Sequence, residues 1–197
     1  MARQLSVTST GGKITGGFIN QGSTLSLLAA GDITLAGLSA NTGNSGAVSI
    51  TSTGGKITIG SFATNGGGSL RASGDIVIGG LAAGLQGNIS HTNTGLTITS
   101  TGGTVSAGQI TSSTTSGFSI VAANDITLPI SSVATFSVTS TAGRILQAPN
   151  TYITQNGTST NNLVTLNAAS DITLANPIIN VDATAGGFTV GRVYTIA

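Results

Sequence analysis

The chain has 197 residues, with six Lys/Arg, five Asp, no Glu and a formal net charge of +1. Gly, Ser, Thr and Asn supply 100 residues (30, 24, 32 and 14), and Cys and Trp are absent. This excludes a basic nucleic-acid track, a disulfide framework or Cys metal site and a helical bundle. Disorder is excluded too, since 39% of residues are hydrophobic and net charge is low.

The opening, MARQLSVTST, holds no apolar h-region and no A-x-A cleavage site, so no signal peptide is expected in it. No run of about 18 apolar residues follows, so no membrane insertion is expected. The first recognisable unit is VTSTGGKIT at 7–15. It returns as ITSTGGKIT at 50–58, ITSTGGTVS at 98–106 and VTSTAGRIL at 138–146. Between these lies LLAAGDITL at 27–35, returning as LRASGDIVI at 70–78, IVAANDITL at 120–128 and LNAASDITL at 166–174. The two motifs alternate strictly through eight units, and a shortened ninth begins at Phe188.

The charged position measures the period: Lys13, Asp32, Lys56, Asp75, Thr104, Asp125, Arg144, Asp171. Intervals of 19, 24, 19, 29, 21, 19 and 27 give roughly 22 to 23 residues per unit. Short alternating strands on that period predict an all-β parallel β-helix, or β-solenoid, of eight to nine coils with three short strands per coil. One domain spans 1–197, with loop insertions at 82–95 and 148–162.

Aligned units give columns. The first strand of each coil points Leu5, Leu25, Val48, Gly68, Leu96, Phe118, Phe136 and Leu163 inward. Two residues on come Val7, Leu27, Ile50, Leu70, Ile98, Ile120, Val138 and Leu166, then the small Ser9, Ala29, Ser52, Ala72, Ser100, Ala122, Ser140 and Ala168. The second strand buries Ile14, Ile33, Ile57, Ile76, Val105, Ile126, Ile145 and Ile172, β-branched throughout. A less regular third strand carries Phe18, Leu38, Phe62, Leu81, Ile110 and Val133. Each large aliphatic contributes roughly 1.5–3 kcal/mol on burial, too little for one coil to stand against its ordering entropy. Stacking is required.

Lys13, Asp32, Lys56, Asp75, Asp125, Arg144 and Asp171 form the informative outward column. It reads either as a binding strip or as a ladder of surface ion pairs that fixes register, and the ladder is the simpler reading. Enzymatic chemistry on a solenoid needs clustered carboxylates. Four of the five Asp repeat one structural position and only Asp182 is spare, so no enzyme is expected. GGK at 11–13 and 54–56 lacks the Ser/Thr of a phosphate loop, and acidic ligands are too few for calcium. No metal or other cofactor is expected. His91, the single His, falls in the 82–95 insertion and reads as an exposed loop residue; Tyr152 falls in the 148–162 insertion. These two are the candidate ligand contacts.

The alternation of TSTGGKIT-like and AAGDITL-like units over residues 4–190 resembles the β-helical shafts of filamentous-haemagglutinin-type exoproteins, the adhesins of two-partner secretion. The resemblance implies a right-handed helix, a secreted or bacterial cell-surface location, and a part in adhesion, aggregation or biofilm. It brings no catalytic residues. The Asn-Pro-Asn-containing secretion domain of that family is not matched, since the single Asn-Pro, 176–177, precedes Ile. The leading expectation is a structural shaft that self-associates end to end. A module binding a host or neighbouring-cell ligand through its corner loops is the alternative. Ice binding by Thr columns is a third, weakened by interruptions at Leu28, Arg71, Val121 and Asn167.

Overall fold

A computed structural model describes residues 4–40, 47–79, 88–92, 95–112, 117–128, 130–133, 135–148, 153–155, 164–175 and 178–180. Among the described residues the regular elements are all β-strands, and every ladder is parallel. One sheet has eight strands lying side by side in sequence order. They are Leu5–Ser9, Leu25–Ala29, Val48–Ser52, Gly68–Ala72, Leu96–Ser100, Gly117–Ala122, Thr135–Ser140 and Val164–Ala168. Parallel neighbours need a return path, and here the second sheet supplies it. The chain is a β-solenoid.

The second sheet has two rows that merge at its start. Ile14–Gln21 and Ile33–Ala40 each run through both rows as one long strand. The next pass breaks at Gly60 and Ser61 into Ile57–Ile59 and Phe62–Thr64, and later passes stay broken. At the same corner one pass later, Gly79 adopts φ 109°, a conformation that side-chain-bearing residues rarely take.

Like residues stack on like. Leu27, Ile50, Leu70, Ile98, Ile120 and Val138 pair in register and are at most 1% exposed. Ile33, Ile57, Ile76, Val105, Ile126 and Ile145 form the facing column, equally buried. Phe118 and Phe136 stack within the core with ring centroids 5.6 Å apart and planes tilted by 44°.

Two columns differ from the sequence expectation. In the first strand Val164, not Leu163, stands beside Phe136; Leu163 lies outside the described residues. In the third row the inward column is Ile19, Leu38, Phe62, Ile89, Ile110 and Ile153, and Ser131 and Ile178 share its register. Phe18 therefore lies one residue off, opposite Gly37 and 61% exposed. The cause is the corner between the two rows. Leu35 and Leu38 are both buried, as are Ile59 and Phe62, so inward residues there are three apart rather than two. Period-two counting across that corner reverses the face. Val133 stands two residues beyond that column, in register with Gln155. Leu81 lies outside the described residues, and Ile89 fills its expected place. The insertions are not wholly loop: 82–95 contains the strand Asn88–His91, and 148–162 contains Ile153–Gln155.

Candidate functional site

The corner joining the two sheets carries the charged column, and two chemically distinct corners alternate there. In the Gly-Gly type, the last inward residue of the first strand is Ser; in the Asp type it is Ala. The Ser hydroxyl reaches back to the preceding winding. Ser52 Oγ donates to Gly31 O, Ser100 Oγ to Gly74 O and Ser140 Oγ to Asn124 O, each at 2.7 Å. The same three hydroxyls accept from Gly55, Gly103 and Gly143 N at 3.0 Å. Each buried hydroxyl thus satisfies one donor and one acceptor, and such bonds contribute about 1 kcal/mol apiece.

The carboxylate of the Asp type reaches forward to the same partner. Asp32 Oδ1 accepts from Lys56 N at 2.9 Å, Asp75 Oδ1 from Thr104 N at 2.8 Å and Asp125 Oδ1 from Arg144 N at 2.9 Å. Thr104 adds its own hydroxyl to Asp75 at 2.9 Å. This geometry explains a glycine. A Cβ on Gly103 would sit 2.5 Å from Asp75 Oδ1 and 2.6 Å from Asp75 N, and one on Gly143 would sit 2.6 Å from Asp125 Oδ1. The absent side chain makes the carboxylate's berth.

Side-chain bonds therefore latch each Asp-type winding to the Gly-Gly-type winding that follows. The opposite junction relies mainly on backbone bonds: Gly31 N to Gly12 O, Gly74 N to Gly55 O, Asn124 N to Gly103 O and Ser170 N to Gly143 O, at 2.8–3.2 Å. Asn124 Nδ2 to Gly102 O at 3.0 Å and Ser73 Oγ to Gly55 O at 3.4 Å supplement two of them. The structural period is two windings.

Lys13, Asp32, Lys56, Asp75, Asp125, Arg144 and Asp171 do share one stacked position, each preceding a paired residue of the Ile14 to Ile172 column. Their chemistry corrects the expected ladder of ion pairs. Among the described residues there is one salt bridge, Arg144 Nη2 to Asp125 Oδ2 at 2.8 Å. The Arg144 side-chain bond, then its backbone amide, hold the Asp125 carboxyl below its ordinary range. Asp32 and Asp75 instead take a backbone amide of the next winding, which requires only that it be in register. From the sequence these Ser residues are expected only to be small and inward; their alternation with Ala in step with the charges is the signal of the hydroxyl's role.

No protein-family model, curated protein or solved structure matches this chain. Its chemistry rests on its own residues.

The expectation for His91 is overturned. It ends the strand Asn88–His91, between Thr64 and Ser112 in register, and is 1% exposed. Past the insertion, the chain is in the stack from Asn88, with His91 pointing inward. His91 Nδ1 lies 3.5 Å from Ser112 Oγ, while Nε2 has no partner among the described residues. Thr64 Oγ1 is engaged with Gly66 O and N. Neither flanking strand, Phe62–Thr64 nor Gln109–Ser112, carries a titratable side chain. Burial accordingly pushes the His91 pKa down. The unfolded chain, with an ordinary value of about 6.5, binds the proton more readily. His91 therefore supports the fold above that value and withdraws support as pH falls through the lowered value. Wild type should lose more thermal stability between about pH 7.5 and about pH 5 than His91→Leu, a window above most carboxylate titration. Equal losses would contradict this. His91 is thus removed from the candidate ligand contacts. Tyr152, the other, lies outside the described residues.

Proposed function

We propose that this chain is a structural shaft of a secreted bacterial surface fibre or adhesin, assembling axially into filaments for adhesion, aggregation or biofilm matrix. On this reading it is a right-handed helix of eight to nine coils of roughly 22 residues, similar to the filamentous-haemagglutinin-type shafts. It performs no catalysis. The repeat supports the reading: its buried columns and corner latches hold windings together, and the outward columns are largely hydroxyl-bearing.

One observation carries the assembly. Between the ends of the described stack, the inward columns are nearly dry. At the ends they are not. Val7 is 38% exposed, Leu5 and Ile14 are half-buried, and so are Leu166, Ala168 and Ile172 at the other end. Open strand edges bordered by apolar columns favour further stacking. The alternative of a module binding through its corner loops loses His91.

Sedimentation and negative-stain electron microscopy over a concentration series test the proposal. Rods of constant width that lengthen with concentration are expected. Monomers at every concentration would refute axial assembly.

A further inference from the structure

We propose that the junction between copies is a head-to-tail repeat of the internal latch, with the winding of Asp171 from one copy seated on the Ser9–Lys13 winding of the next. The inference rests on the axial assembly proposed above and specifies its polarity, register and contacts.

The two end windings of the described stack are of opposite type. The winding that contains Ser9, Gly12 and Lys13 is of the Gly-Gly type, and that of Asp171 is of the Asp type. Inside the stack, an Asp-type winding is always latched to the Gly-Gly type that follows, at Asp32 to Lys56, Asp75 to Thr104 and Asp125 to Arg144. At the ends the same groups are present without those partners. Among the described residues, nothing accepts from the Lys13 amide or the Ser9 hydroxyl, and nothing donates to the Asp171 carboxylate.

Gly12 is the sharpest sign. Its counterparts Gly55, Gly103 and Gly143 lack a Cβ because a neighbouring Asp and its backbone occupy that space. A Cβ on Gly12 would meet only Ser9 Oγ, at 3.5 Å. Among the described residues, nothing requires glycine there. A second copy supplies the requirement. Continuing the internal register places Val164, Leu166 and Ala168 against Leu5, Val7 and Ser9, and Ile172 against Ile14. Asp171 then meets the Lys13 amide, Ser9 Oγ meets Ser170 O, and the Lys13 ammonium takes the role of the Arg144 guanidinium beside Asp125.

The test combines one substitution with one cross-link. Gly12→Ala should melt as wild type does at low concentration, because the space is open within a copy. It should associate at least about tenfold more weakly, since a Cβ there would meet Asp171. Gly31→Ala, at a position where Asn124 and Ser170 stand in other windings, should associate like wild type. Zero-length carbodiimide coupling of wild-type oligomers, read by peptide mass spectrometry, should join Lys13 to Asp171. If Gly12→Ala assembles as tightly as wild type, or oligomers couple elsewhere, this junction is wrong while axial assembly stands. If wild type stays monomeric, both fail, and the Asp171 face falls to another occupant such as residues 181–197 of the same chain.

Discussion

Gly103→Ala should destabilise the protein by about 3 kcal/mol, whereas Gly74→Ala should change stability by less than about 1 kcal/mol. Both glycines sit in turns at the same corner, in adjacent windings, and neither has positive φ. The difference is steric. A Cβ at Gly103 would lie 2.5–2.6 Å from Asp75 Oδ1, Asp75 N and Gly74 C, two of them backbone atoms that cannot swing away. Relieving the overlap means spreading two windings and losing the Asp75 bonds to Thr104. A Cβ at Gly74 would find its nearest neighbour, Gly55 O, at 3.3 Å. Substitution there also restricts the unfolded chain, which offsets a small crowding cost. Urea midpoints at constant slope would separate the two. Equal destabilisation would show that the berth for the carboxylate is not what requires Gly103.

Phe62→Ala should cost about 4 kcal/mol, against less than about 1 kcal/mol for Phe18→Ala. Phe62 is fully buried between Leu38 and Ile89. Its removal leaves a cavity in a column that neighbouring windings can close only by shifting their own ladders. Phe18 is 61% exposed, its ring lying over Gly37. Thermal or urea unfolding of the two variants decides the matter. Comparable losses would place Phe18 inside, as counting by twos from Ile14 has it.

That contrast also shows what the sequence could express. Within a strand, alternation between faces is strict, so the Val7 and Ile14 columns could be read directly from the repeats and match the paired registers. At the corner after Leu35 the spacing of inward residues becomes three. No residue in the repeat announces that change, and Phe18 was assigned to the wrong face. Leu38 and Phe62 lie five residues after Ile33 and Ile57; applying that same offset to Ile14 would have found Ile19. The insertion before Asn88 hid Ile89 and His91, because a loop-like composition gives no mark of where the chain rejoins the stack.

The charged column was legible in position but not in chemistry. Alternating signs invite an electrostatic reading, yet exposed pairs contribute little, and the carboxylates of Asp32 and Asp75 bond to the Lys56 and Thr104 amides. The decisive clue was the partner of the Asp: Thr104 stands where Lys56 and Arg144 do, and keeps the bond to Asp75 without any charge.

The central claim is that successive repeats are neighbours along one axis. Spin labels on cysteines introduced in this cysteine-free chain measure it directly. Thr8, Leu28, Thr51, Arg71, Thr99, Val121 and Thr139 stand in one outward register. At about 4.8 Å per strand, backbone separations should be about 19 Å for Thr8 to Thr99 and about 29 Å for Thr8 to Thr139. A second distance longer than the first by about 10 Å is the predicted result; equal distances, or a shorter second one, would contradict the stacked winding.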